Sequence, residues 1–162
     1  MSQDELLSFA VTVARSEGAW VVRSFADDFE DPQTSIAAVR ALRSEGAAFA
    51  LLCVDDDYFV IVRPVPGDVR MLLSDATMAV DDDFAAGFLE LRDLEIPDIA
   101  PEDLDDAAPF GDGDFDILAD LGMDEYQIEA IIDNDEDYPS DMLLRIAGEL
   151  GFGDELEDAL DL

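Results

Sequence analysis

The acidic side chains of this chain are concentrated towards its C-terminal end. Residues 93–162 contain 25 acidic side chains and a single basic one, Arg145, whereas residues 1–92 contain 17 acidic side chains and seven arginines. The net charge is −34, although 49% of the residues are hydrophobic. The chain can therefore form a packed core beneath a strongly anionic surface. The asymmetry predicts two parts with different roles.

The lack of lysine and histidine limits the chemistry of the chain. All eight basic residues are arginines, so the commonest general base and metal ligand, histidine, is missing. Binding to nucleic-acid phosphates or to anionic membranes requires clustered basic residues, so we expect no direct contact with either. The favoured partner is a basic protein. One cysteine, no apolar run of about 20 residues and no secretory signal predict a cytoplasmic protein.

Hydrophobic periodicity predicts an α+β fold in residues 1–94. Alternating or continuous apolar runs predict five strands, and amphipathic spacing predicts two helices, in the order ββαβββα. Short turns between consecutive strands favour an antiparallel β-sheet with the helices on one face. The predicted strands are 6–15, 19–25, 47–54, 58–65 and 69–75, and the predicted helices are 31–46 and 81–94.

The remaining 68 residues divide into two segments of different character. Residues 95–114 contain three prolines, two glycines and many acidic residues, which predicts an extended or disordered acidic linker. Residues 115–162 regain apolar residues at helical spacing, which predicts a small C-terminal helical subdomain. A core of this size is marginal alone, so we expect it to pack on the sheet or on a second copy. Its predicted helices are 115–122, 124–133, 139–151 and 154–160.

Two acidic stretches begin as calcium loops do but fail at the decisive positions. An EF-hand loop needs glycine at position 6 and a bidentate glutamate at position 12. In the loop that begins at Asp133, these positions hold Tyr138 and Leu144, and a second candidate beginning at Asp112 fails at the same two positions. We therefore predict no EF-hand and interpret the sequence DNDED as the connection between two helices.

No residue pattern predicts a catalytic centre, a metal site or a cofactor. Cys53 lies in the most apolar strand, and no histidine can activate it, so we interpret it as a buried, unreactive thiol. The aspartates at 55–57 and 81–83 are interpreted as a turn and a helix start, with a magnesium ion held between them as the alternative. Six arginines are interpreted as scattered partners of nearby acids, with a shared anionic ligand as the alternative. They are Arg15, Arg23, Arg40, Arg43, Arg63 and Arg70.

The acidic linker supplies the predicted partner-binding residues. Residues 93–162 carry a net charge of −24 with one arginine to offset it, and such a field attracts a basic macromolecule and steers its approach. The residues predicted to contact that partner are Glu102, Asp103, Asp105, Asp106, Asp112 and Asp114.

Several stretches of the chain resemble a known family. They are FAVTVAR with AWVVRSF, then YFVIVRP followed by VRMLLSDAT, and finally DILADLGMDEYQIEAIIDNDEDYPSDMLLRIAGELGFGDELEDAL. In these stretches, and most specifically in LLSDA and the C-terminal run, the chain resembles the tRNA adenosine deaminase-associated protein family over nearly its whole length. The resemblance implies a genetic neighbourhood with a tRNA-editing deaminase and supplies no functional residues. The chain lacks the H-x-E and P-C-x-x-C zinc elements, so it is not the deaminase itself.

These observations predict a non-enzymatic acidic accessory protein that binds a basic surface of a tRNA adenosine deaminase. One alternative is that the charge only keeps the protein dispersed. Another is an acidic protein with carboxylate-based metal binding or a metal-dependent activity. A homodimer is also expected, because a short sheet with an appended helical piece leaves apolar surface to cover.

Overall fold

An antiparallel sheet occupies the middle of the fold. The structure is a computed structural model that describes residues 8–134 and 136–160. The strand order is β2-β1-β3-β4-β5-β6, and every neighbouring pair is antiparallel. This confirms the predicted α+β class; of the first predicted strand, residues 6 and 7 lie outside the described residues. The strands are β1 (Phe9–Ser16), β2 (Ala19–Ser24), β3 (Ala48–Val54), β4 (Tyr58–Val65), β5 (Asp68–Leu73) and β6 (Asp112–Gly113).

Two of the helices begin at aspartates whose side chains bond to free backbone N–H groups of the first turn. The Asp82 side chain accepts a hydrogen bond from the Phe84 amide, and Asp124 forms a capping box with Gln127, as helix N-termini require. The described part of the chain contains α1 (Gln33–Ala41), α2 (Asp83–Leu91), α3 (Glu125–Ile132), α4 (Pro139–Leu150) and α5 (Gly153–Leu160), and the 3₁₀-helices Ala76–Val80, Pro101–Asp106 and Ala119–Leu121.

Both faces of the sheet are covered, because successive side chains of a strand point to opposite faces. Ala10, Leu52 and Val60 belong to a cluster with α1 and α2. Val11 and Leu51 belong to a second cluster with the C-terminal helices. The strands β3 and β4 are buried on both sides, which explains why their sequences are continuously apolar.

The C-terminal helices pack on the sheet, which was one of the two arrangements expected for them. Phe152 is fully buried, and its ring lies 4.9 Å from the Trp20 ring and 6.0 Å from the Phe49 ring, measured between centroids. Burying one such side chain stabilises the fold by about 1.5–3 kcal/mol. Asp56, in the turn after β3, accepts a hydrogen bond from the Ser140 amide at 2.9 Å and fixes the start of α4. The three-part domain division stays a prediction.

Three helices are clearly shorter than their sequence patterns predict, and the one predicted for 81–94 spans only Asp83–Leu91. The helix predicted for 31–46 ends at Ala41, because Arg43 adopts a positive φ of 49° that interrupts the helix before Gly46. The helix predicted for 115–122 is a set of turns with the short 3₁₀-helix Ala119–Leu121. Apolar spacing is present in all three segments, but spacing alone does not determine where a helix begins or ends.

The segment predicted to be an extended or disordered linker contains regular structure. It includes the 3₁₀-helix Pro101–Asp106 and the short strand β6. The Asp114 amide donates to the Met71 carbonyl at 2.7 Å, and the Met71 amide donates to the Asp114 carboxylate at 3.0 Å. These bonds to β5 supply the order that the local composition does not predict.

Candidate functional site

Four predicted partner-binding residues lie together on the 3₁₀-helix Pro101–Asp106, which we call the acidic 3₁₀-helix. Proline at the first position suits a helical start, because it has no N–H to leave unbonded. The four side chains are exposed, and within residues 8–134 and 136–160 none of them takes part in a side-chain hydrogen bond or an ion pair. Their carboxylates therefore face solvent uncompensated. They are Glu102, Asp103, Asp105 and Asp106.

The two remaining predicted residues are placed in and after β6 and make contacts within the fold. Asp114 holds the Arg92 guanidinium through two contacts of 3.1 Å and is only 18% exposed. Asp112 accepts a hydrogen bond from the Gly113 amide at 2.8 Å. Gly113 has φ of +123°, and an added Cβ would lie 2.4 Å from the Met71 carbonyl oxygen, so the chain passes β5 too closely for a side chain. Asp114 thus stabilises the segment itself.

A cavity of about 350 Å³, which we call the acidic cleft, is lined in part by residues 108–109, which follow the acidic 3₁₀-helix in the chain. Four parts of the chain form it: the turn after β3, residues 74–75 after β5, residues 108–109, and the segment from the end of α3 to the start of α4. Its four carboxylates belong to Asp57, Asp75, Asp133 and Asp137, and its apolar wall includes Pro109, Ile132 and Met142. A cleft with these walls matches the side chain of an arginine or lysine, which has an apolar stem and a cationic head.

Two of the four cleft carboxylates already have partners. Asp75 accepts a hydrogen bond from the Thr77 amide at 3.0 Å, and Asp137 pairs with Arg145 at 3.2 Å. Partial burial, followed by the neighbouring charges of Asp55 and Asp56, raises the pKa of the Asp57 carboxyl. The side chains of Asp57 and Asp133 form no hydrogen bond or ion pair with any described residue. A cation entering the cleft would therefore stabilise the charged form of Asp57.

The acidic stretch that begins at Asp133, which starts as a calcium-binding loop does, connects two helices, as the sequence predicts. Asp133 caps the end of α3, and Tyr138 immediately precedes α4; Asp135 lies outside the described residues. Among the described residues, no group of three or more histidine, cysteine or carboxylate side chains is arranged to hold a metal ion.

The potential nucleophiles near the cleft are held in unreactive environments. Cys53 is fully buried, and burial followed by the charge of Asp56 raises the pKa of its thiol to about 12. The Ser74 hydroxyl accepts a hydrogen bond from the Phe59 amide at 2.8 Å. The hydroxyl of Tyr58 donates to Asp82 at 2.9 Å, and burial raises the pKa of that phenol. Cys53 therefore stays a thiol at neutral pH.

The arginines divide into two groups, only one of which fits the interpretation as partners of nearby acids. Arg63 forms a bidentate pair with Asp120 at 2.7 and 2.8 Å, and Arg70 pairs with Asp116. The Arg15 guanidinium lies 5.4 Å from the centroid of the Trp20 ring. In the part of the chain that the structure describes, four guanidinium groups form no hydrogen bond or ion pair with an acid, so the interpretation was wrong for them: Arg15, Arg23, Arg40 and Arg43.

Comparison with known proteins identifies the family. Residues 8–153 match the family model described as Rv3753c-like tRNA adenosine deaminase-associated protein. The chain belongs to this family. It is 46% identical over 157 residues to Protein Rv3753c of Mycobacterium tuberculosis, an alignment that covers 94% of this chain and 87% of that protein. No solved structure matches the chain significantly. Within the described ranges, no helix combines the length and apolar character that a membrane span requires.

Proposed function

We propose that this chain is a non-enzymatic, cytoplasmic accessory protein that binds a basic surface of a tRNA adenosine deaminase. The observation that carries the proposal is the acidic 3₁₀-helix, whose four exposed carboxylates have no partner in the described part of the chain. The family description supplies the class of partner. An enzyme that acts on tRNA needs a basic surface for the RNA phosphates, so its charge complements this helix.

The acidic cleft extends the proposed contact surface. Residues 108 and 109 join the acidic 3₁₀-helix to the cleft wall, so one partner could contact both. In this arrangement an arginine or lysine of the partner enters the cleft and approaches Asp57, the pKa of which is raised by burial and by neighbouring aspartates. The four helix carboxylates would then guide the approach, because charges on a rim act mainly on the association rate.

A calorimetric titration of the purified protein with the deaminase of the same organism tests this proposal. We expect a complex at about 0.1 M salt that weakens at about 1 M, because the Debye length falls from about 10 Å to about 3 Å. If the two proteins form no complex at the lower salt concentration, the proposal is wrong.

A pair of charge-matched variants locates the contact. Neutralising the acidic 3₁₀-helix should weaken binding by at least about tenfold, while a control variant that loses four exposed carboxylates elsewhere should bind within about threefold of the wild type. Equal losses in both would show that only net charge matters. The test variant is Glu102→Gln, Asp103→Asn, Asp105→Asn and Asp106→Asn; the control is Glu129→Gln, Glu149→Gln, Glu157→Gln and Asp158→Asn.

A homodimer remains part of the proposal. Phe110, Tyr126 and Tyr138 are 45%, 74% and 65% exposed, and aromatic side chains of this kind are enriched at protein interfaces. Light scattering should give twice the mass of the chain at a salt concentration that screens the like charges. A monomeric mass over the whole accessible concentration range would contradict the dimer and leave the binding proposal intact.

A further inference from the structure

The three arginines without partners lie at one corner of the fold. Arg23 belongs to β2, and Arg40 and Arg43 lie at the end of α1 and just after it. The chain has 42 acidic residues and eight arginines, so each arginine is expected to have an acidic side chain nearby. Within the described ranges these three guanidinium groups nevertheless pair with none, so this corner has positive charge to offer a ligand.

Two cavities meet at this corner. The first, about 520 Å³, which we call the arginine groove, has the exposed apolar side chains Val21 and Leu42 in its lining, and its charged side chains are Arg23, Arg43 and Glu45. The second, about 420 Å³, shares Arg43 with the first and also contains Arg40. Val21 is 42% exposed and Leu42 is 37% exposed. The groove therefore combines an apolar surface with a net positive charge, because two arginines and one glutamate line it.

The loop that carries Arg43 is fixed against β1. The Arg15 amide donates to the Ala47 carbonyl at 2.9 Å, and a Cβ on Gly46 would lie only 2.1 Å from the Arg15 carbonyl oxygen. Arg43 has φ of +49°, a left-handed conformation that is costly for a side chain other than glycine and persists only where the surroundings impose it. The backbone that carries Arg43 thus has a defined position before any ligand arrives, which lowers the cost of binding.

The strand β2 also offers backbone hydrogen-bonding groups, because it is the edge of the described sheet. The Phe25 amide donates to the Ala10 carbonyl at 3.0 Å. Antiparallel pairs alternate along a strand, so this bond and the register of β1 with β2 turn the peptide groups of Trp20, Val22 and Ser24 away from β1. The side chains of Val21 and Arg23 lie on the face that borders the groove.

We infer that β2 and the arginine groove bind an extended acidic segment of a partner protein, which adds to the sheet as a further strand. Its backbone would bond to the outward peptide groups of β2, as edge-strand peptides do. One apolar side chain would lie opposite Val21, and a carboxylate two residues away on the same face would lie between Arg23 and Arg43. This site is separate from the acidic surface of the proposed function and does not depend on it.

A short carboxylate-bearing segment fits this corner better than a nucleic acid does. A polynucleotide would bring a row of phosphates towards a molecule of net charge −34, whereas a peptide with one or two carboxylates presents its charge only where the arginines are. Remote acids act weakly on such a short segment, because the Debye length is about 8 Å at physiological ionic strength.

A labelled heptapeptide, Thr-Glu-Thr-Val-Thr-Glu-Thr, is the direct probe, since it places glutamate and valine two residues apart on one face in either strand direction. We expect it to bind the full chain in a fluorescence anisotropy titration, and the same peptide with glutamine for glutamate to bind at least about tenfold more weakly. Equal binding of both peptides would overturn the inference, as would the absence of binding. Preferential binding of a single-stranded oligouridylate at the same arginines would also overturn it.

Matched variants and amide exchange place the peptide on the groove. Arg23→Gln with Arg43→Gln should weaken peptide binding by at least about tenfold, while Arg70→Gln with Arg145→Gln, which removes the same charge elsewhere, should change it by less than about threefold. By NMR, exchange at the Trp20, Val22 and Ser24 amides should slow on peptide binding, with the Val21 and Arg23 amides as internal references. Unchanged exchange at all five amides would contradict strand addition.

Discussion

The arginines at the two edges of the sheet differ in what they contact. Near β5 and β6, Arg63, Arg70 and Arg92 all hold aspartates of the chain itself. Near β2, Arg23 and Arg43 hold none among the described residues. The same residue type therefore attaches the acidic C-terminal segment to the sheet at one edge and leaves charge available at the other. Substitutions at the two edges should have correspondingly different effects on stability and binding.

Arg92→Gln should give the largest effect on stability. It leaves the Asp114 carboxylate, which is only 18% exposed, without its cation, and hydrogen bonds to charged groups contribute about 1.5–3 kcal/mol. We expect the free energy of unfolding from urea titration to fall by about that amount. Arg92→Lys, which keeps the charge, should lose less. A loss below about 0.5 kcal/mol would show that Arg92 does not attach the 112–114 segment.

Arg63→Gln should have a smaller effect. Arg63 donates to the Ile117 carbonyl at 2.7 Å and pairs with Asp120, but the Asp120 side chain is 61% exposed, and exposed pairs contribute about 0.2–1 kcal/mol. The Arg63 guanidinium lowers the pKa of the Asp120 carboxyl, so this stabilisation is present above the ordinary pKa of 3.8 and is lost as the pH falls through the lower folded value. The difference between wild type and variant should therefore shrink in strong acid to the contribution of the Ile117 hydrogen bond; a difference that does not change with pH would contradict the assignment.

Asp57→Asn should raise the melting temperature slightly near neutral pH. Burial raises the pKa of the Asp57 carboxyl above 3.8, so its charged form destabilises the folded state at pH values above the folded pKa, and this penalty disappears below the ordinary value. The gain from the variant should shrink as the pH is lowered towards that value. A lower melting temperature at neutral pH would mean that Asp57 has a stabilising contact in solution.

Arg23→Gln with Arg40→Gln should have the smallest effect on stability. Neither arginine contacts an acid in the described ranges, and surface substitutions of this kind usually change the free energy of unfolding by less than about 0.5 kcal/mol. Urea titration of this double variant and of Arg92→Gln under the same conditions compares their free energies of unfolding directly. A loss as large as that of Arg92→Gln would mean that the β2 edge uses its arginines structurally too.

Much of the sheet could be predicted from the sequence, because its strands are continuously apolar or alternate and its turns carry aspartate, glycine and proline. The strand 58–65 has the predicted bounds. The order of residues 95–114 could not be predicted, since it depends on Asp114 reaching Arg92 and Met71. The amino-acid composition of a segment predicts whether that segment can fold by itself, and it carries no information about contacts with residues far away in the chain.

The arginine groove also could not be predicted from the sequence. Arg23 and Arg43 are 20 residues apart, and only the packing of α1 beside the β1–β2 hairpin places both along one cavity. The acidic 3₁₀-helix was easier to predict, because its acidic residues are close together in the chain. Such residues form a charged surface wherever they are exposed to solvent, without any contact to distant parts of the chain.

Hydrogen–deuterium exchange of the protein with and without its deaminase tests the central claim most directly. The claim predicts slower exchange in residues 101–107 and in the α3–α4 connection that borders the acidic cleft, with β2 unchanged. Protection that is confined to β2, or exchange that is unaltered throughout the chain at saturating deaminase, would contradict it.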